Sequence, residues 1–161
     1  MSEAGLDAYL GLRDLALSID AAAAGIRPTD EHPIVWGVLM EMGLPNATVT
    51  LVGLADGTTS LYTSVGGGII GGGEHAHIAA ASRALVSVAA RCIDALVPAT
   101  VFRRPAAGAI AFHALTFRGN MTAEVAEKTV VDGGHPLSPL FTAAHDVTSR
   151  LREFDEARRR R

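Results

Sequence analysis

Two glycine triplets, Gly66-Gly67-Gly68 and Gly71-Gly72-Gly73, flank Ile69-Ile70 and lead straight into Glu74-His75-Ala76-His77. Glycine frees the backbone for φ > 0 and lets another molecule come close. A helix starting at Glu74 would add unpaired N–H groups, the elements of an anion cradle. No Gly-Lys-Ser/Thr closes the run, so it is not a Walker loop. A dinucleotide fingerprint does not fit either, because the segments before it read as antiparallel, with no parallel βαβ unit. Glu74 would itself complement the helix dipole and would repel phosphate. The stretch is therefore read first as a strand-to-helix crossing. The alternative is a small-molecule or nucleotide site made of Gly66, Gly67, Gly68, Gly71, Gly72, Gly73, Glu74 and His75. In that case a bulky residue at Gly67 or Gly72 abolishes binding and leaves the fold intact.

Histidines supply the next candidates. His-x-His suits a metal on a strand, where positions i and i+2 share a face, but on a helix they stand about 200° apart. With the helix starting at Glu74, His75 and His77 do not chelate one ion, and no metal or cofactor is assigned. A metal-dependent or histidine-based hydrolase would need Glu74, His75, His77, His113 and His135 to converge in space. Asp132-Gly133-Gly134-His135-Pro136 fits an active-site turn and equally an ordinary loop whose side chains satisfy its own backbone. There is no nucleophile elbow and no zinc-protease helix motif, so no catalytic residue is named. The single cysteine, Cys92, reads as a small buried hydrophobe on a helix. At the far end Arg150, Arg152 and Arg158 to Arg161 interleave with Glu153, Asp155 and Glu156. Cations there complement a helix dipole, and 157–161 reads as a frayed, solvated tail.

Composition narrows the classes. The chain has 161 residues, 48% hydrophobic and 19% charged, which is globular in kind and fits one domain over 1–161. Aromatics are only 5%, so the core must close through small residues. A net charge of −3 and the lack of an aromatic platform beside the arginines argue against nucleic acid as a partner. One thiol cannot form an internal bridge, and no basic leader precedes an apolar run, so a cytoplasmic, reducing compartment is expected. The apolar stretch Ile78–Val97 carries Arg83, Arg91 and Asp94, which excludes a membrane span there.

The elements that must position these groups follow from periodicity. Leu6, Leu10, Leu12, Leu15 and Ile19 predict a helix over 6–24 with those leucines inward and Gly25 as its stop. Strands are predicted over 34–40, 48–54 and 58–64, with Asp56-Gly57 as a hairpin turn. A long helix is predicted over 74–96, with Ile78, Leu85, Ala89, Cys92 and Leu96 inward. Strands at 108–117 and 121–131 follow, then a helix over 138–157 capped by Ser138, with Leu140, Phe141, Ala144, Val147, Leu151 and Phe154 inward. The expected class is α+β: an antiparallel sheet of about five strands layered with helices, in the order α-β-β-β-α-β-β-α.

With its Asp56-Gly57 hairpin and long central helix, this order resembles the profilin-like sandwich and, within it, the roadblock-like proteins. The roadblock pattern has two strands before the long helix and three after it; here three precede it and two follow. The resemblance implies a non-enzymatic module that pairs with a second copy or another protein as a scaffold or regulator. The Ala-rich central helix is compatible with such close approach.

Overall fold

The computed structural model describes residues 2–161; Met1, where the leader reading began, lies outside them. Ser2 opens helix α1 (Glu3–Leu17) by accepting the Gly5 N–H on its hydroxyl. The helix stops well short of residue 24. The Ser18 hydroxyl donates to the Asp14 carbonyl, Asp20 accepts the Ala23 N–H, and Gly25 at φ 75° turns the chain. Short polar side chains have taken over the backbone groups that a continuing helix needs.

Strands β1 (Val35–Gly43), β2 (Thr48–Leu54) and β3 (Thr59–Thr63) form a meander, and β4 (Gly68–Ile69) adds two residues at its edge. Between β2 and β3 the expected Asp-Gly hairpin forms, with Asp56 accepting the Thr58 N–H, but of the pair only Gly57 takes a positive φ, 90°. A 3-10 turn (Gly72–Glu74) precedes helix α2 (Ala76–Arg91), and a second (Ile93–Ala95) precedes β5 (Val97–Pro98). The rest is β6 (Ala109–Thr116), β7 (Gly119–Ala126), the short α3 (Glu127–Val131) and α4 (Ser138–Arg159).

The architecture is α+β, with one antiparallel sheet of seven strands in the order β4-β3-β2-β1-β6-β7-β5. The two strands beyond the expected five are two-residue edges, too short to show alternation. The long central helix is α2, shorter at both ends than 74–96 because 3-10 turns take over. The segment expected as a strand over 121–131 divides into β7 and α3. Ser138 does not cap α4: Leu137 holds that position, and the Ser138 hydroxyl accepts the His135 N–H instead. Helix α4 continues to Arg159, where Arg158 and Arg159 both pair with Asp155. Among the described residues no helix is long and apolar enough to cross a membrane.

The sheet has two covered faces. Val38, Met40, Leu51, Ile110 and Phe112 meet Ile78 and Leu85 of α2 and Leu140, Val147 and Leu151 of α4. On the opposite face Leu39, Val52, Leu54 and Leu115 meet Ala16 of α1 and Ile26 of the connector. Trp36 joins that second face because the β1–β6 register shifts between Val35 and Gly37. Residues 99–108 form a strap along this face. The strap presses on β1 at Gly43, where a Cβ would overlap the Ala106 carbonyl, and Gly43 accepts the Gly108 N–H at 2.9 Å. Gly43→Ala is expected to lower stability by about 1–3 kcal/mol, the usual range for overpacking. The check is a urea midpoint that falls at constant slope; an unchanged midpoint would mean the strap yields freely.

Candidate functional site

Helix α1 buries the opposite residues to those its pattern predicts. Leu15 is 65% exposed and Leu6, Leu10 and Leu12 are only half-buried, while Tyr9, Arg13 and Ala16 face the sheet. The reason lies on β1. Glu41 falls on the α1 side of the sheet with no exposed surface at all. A carboxylate in that position must be met by a cation and by hydrogen-bond donors.

Those donors come from three elements, α1, β2 and β6. Arg13 grips Glu41 in a fork, with Nε to Oε2 and Nη2 to Oε1 both at 2.8 Å. From β6, His113 Nε2 donates to Oε1 at 2.8 Å. Thr50 on β2 donates to Oε2 at 2.8 Å. The Tyr9 hydroxyl lies 2.7 Å from Thr50 Oγ1 and 3.3 Å from Oε2. Two further contacts extend the cluster. His113 Nδ1 is 2.9 Å from the Thr122 hydroxyl on β7, and Arg13 Nη2 also donates to the Phe102 carbonyl of the strap at 2.9 Å. The Phe102 ring stands edge-on over His113 at 5.1 Å.

The electrostatics follow from this packing. Burial alone would raise the Glu41 pKa, but the bonds from His113 and Arg13, with the Arg13 charge, hold it down to about 2. For Arg13, burial works against the charge and the Glu41 bonds outweigh it, so its pKa goes up. Burial pushes the Tyr9 hydroxyl up to about 12, with the Glu41 charge adding to the effect. Among the described residues no buried side-chain polar atom lacks a partner. A general base needs a free lone pair within reach of its substrate. Glu41 has neither, so the chemistry of this cluster is to hold α1, three strands and the strap in one arrangement.

The glycine run resolves into two parts. A Cβ on Gly68, Gly72 or Gly73 would overlap Leu61, Leu151 or Gly57 respectively, so these glycines allow close packing. A bulky residue at Gly72 would therefore disturb the fold, and the expectation that it tests binding alone does not hold. Gly66, Gly67 and Gly71 have positive φ, and the first two face open space. Gly66 and Gly67 border a groove of about 320 Å³ lined by Ala8, Tyr9 and Leu12 of α1, by Tyr62 and Thr63, and by Ile70, which is 71% exposed. Glu74 is exposed in its 3-10 turn, and His75 leaves the groove to pack on Phe154 of α4 at 3.9 Å between ring centroids.

The remaining histidines are dispersed. His113 lies in the Glu41 cluster on the α1 face, whereas His75 packs on the α2 and α4 side. His77 is exposed on α2, and His135 Nδ1 accepts the Leu137 N–H. Among the described residues, no three His, Cys, Asp or Glu side chains gather to hold a metal. Cys92 is buried, and that burial raises its pKa and keeps it protonated. Sequence reasoning passed over His32, which is buried with Nε2 3.1 Å from both the Arg83 carbonyl and the Ser87 hydroxyl. It also passed over Glu41, Arg13, Tyr9 and Thr50. Compared with protein-family models, curated proteins and solved structures, the chain matches none.

The cluster makes stability depend on pH at both extremes. Glu41 has a lowered pKa, so its contribution is complete above the ordinary value of 4.5 and is lost as pH falls toward about 2. Tyr9 has a raised pKa, so its contribution is complete below 10.0 and is lost as pH rises toward about 12. Removing one partner of a buried pair strands the other, so Glu41→Ala is expected to cost roughly 3–5 kcal/mol in denaturant unfolding. Tyr9→Phe is expected to cost about 1 kcal/mol near neutral pH. Its melting temperature should approach that of the parent as pH passes 10 toward 12; a gap that stays constant would show that Tyr9 is not the alkaline group.

Proposed function

We propose that this chain is a non-enzymatic interaction module that forms a homodimer in the cytoplasm. The observation that carries the reading is the reversed burial of α1. Tyr9 and Arg13 of this helix turn inward to Glu41, which leaves Leu15 exposed and Leu6, Leu10 and Leu12 half-exposed. Single exposed apolar residues are ordinary, but a contiguous apolar patch marks an interaction site. Here Leu12, Ala8 and Ile70 line one groove, with Leu15 exposed on the same helix. The ionisable groups buried around Glu41 are saturated by each other and by Thr50, which favours a binding role over catalysis. We also infer a roadblock-like, profilin-like kinship. It is supported by the order of the long elements around α2; the distribution of strands about that helix departs from the roadblock pattern.

A second reading keeps the groove beside Gly66 and Gly67 as a small-molecule site, because those two glycines leave open space on its wall. Native mass spectrometry separates the readings. A dimer at bare polypeptide mass is the expected result, and a monomer at the highest concentration reached would overturn the module. A mass excess per subunit that disappears in Leu12→Trp, which fills the groove, would favour the ligand site.

A further inference from the structure

Both structures that cover the α1 face of the sheet carry charge of one sign. On α1 the exposed charges are Glu3, Asp7 and Asp14, all acidic, because the only cation, Arg13, is buried. Spacings of four and seven put the three on one ridge, and Leu10 lies between Asp7 and Asp14 on it. The strap 99–108 has no acid, and its exposed charges are Arg103 and Arg104. Its Val101 is 72% exposed. Among the described residues, none of these five charged side chains takes part in an ion pair.

The two ridges are held side by side. Arg13 bonds both the Glu41 carboxylate and the Phe102 carbonyl, and Leu6 of α1 and Arg104 of the strap line one cleft. The result is an acidic ridge fixed against a basic one, with apolar residues along both. A surface of that kind is complementary to itself under a two-fold rotation: each α1 meets the strap of the other copy. An unrelated partner would need the same two ridges in matching order, and this chain already presents them.

We propose that α1 and the strap form the self-association face of this protein. A second copy would seat its Arg103 and Arg104 against Glu3, Asp7 and Asp14, and the reverse, over contacts made by Leu10 and Val101. This inference rests on the homodimer reading and specifies its interface. The ion pairs set register and orientation, and apolar burial supplies the attraction.

Charge exchange tests it by sedimentation velocity. Arg103→Glu/Arg104→Glu makes both ridges acidic, and Asp7→Lys/Asp14→Lys makes the α1 ridge basic like the strap. Each variant alone is expected to dissociate at least about tenfold more readily than the parent, because like charges then face each other. An equimolar mixture is expected to recover a mixed dimer, since each acidic ridge again meets a basic one. Recovery on mixing also shows that both variants are folded. A parent dimer indifferent to both exchanges would overturn this face and leave the homodimer reading standing. Two dissociated variants that fail to combine would overturn the face as well. A monomeric parent would overturn the homodimer reading and this inference together.

Discussion

The Glu41 carboxylate, placed at zero exposure in the middle of the sheet, is the constraint from which much of the α1 face follows. It needs a full set of donors, and they come from residues 9, 28 and 72 positions away in sequence. The β1–β2 register sets Thr50 directly opposite Glu41. The β1–β6 register puts Ala111 opposite Glu41 and His113 two residues farther along the same face. A one-residue slip of β1 would turn Glu41 into the apolar layer under α2 and α4. A buried ion pair adds little net stability over a well-packed apolar replacement, because desolvation offsets much of the attraction. Its larger effect is to penalise wrong arrangements. In each of them a charge or a hydroxyl would be stranded in a dry environment.

That requirement explains why α1 contradicts its own pattern. On hydrophobic periodicity the leucines belong inside. Tertiary demand for Arg13 and Tyr9 rotates the helix, and the leucines go to its flanks and crest. Local preference and global structure usually agree along a natural chain, and a disagreement tends to mark a place with another task. Here the rotation has two effects at once. It fastens the strap through the Phe102 carbonyl, and it gives the outer surface an apolar and acidic character. The network that stabilises the inside thus shapes the exposed surface of α1.

Much of the fold was legible because its main signals are local. Alternation marks β2 and β6, Asp56-Gly57 marks the β2–β3 hairpin, and helical spacing marks the buried stripes of α2 and α4. Failures occurred where local signals compete. The segment 121–131 ends in Thr129-Val130-Val131, which suits a strand, yet it turns helical at Glu127, where periodicity cannot separate a short helix from a strand. The site was largely illegible, since nothing near Glu41 in sequence announces its partners. One cue was present: a lone carboxylate between Met40 and Met42, alternating onto a covered face. Reading β1 as ending at Met40 hid it. Arg13 and Tyr9 among the leucines were the matching cue on α1.

The glycine run teaches the opposite lesson. Its composition is what a ligand loop would have, yet half of its glycines are accounted for by packing. Gly73 lies against Gly57 of the β2–β3 turn, and Gly72 lies against Leu151 of α4. A chain with so few aromatic rings closes its core by bringing backbones together, and glycine permits the closest approach. The start of α2 can therefore press on the hairpin turn and on α4 at once, and His75 completes that contact by packing on Phe154. Gly66 and Gly67 differ. Their positive φ satisfies the turn after β3, but the space beside them is open, so the fold does not require that side to be empty. Packing thus accounts for Gly68, Gly72 and Gly73, and the open wall lies at Gly66 and Gly67, facing α1.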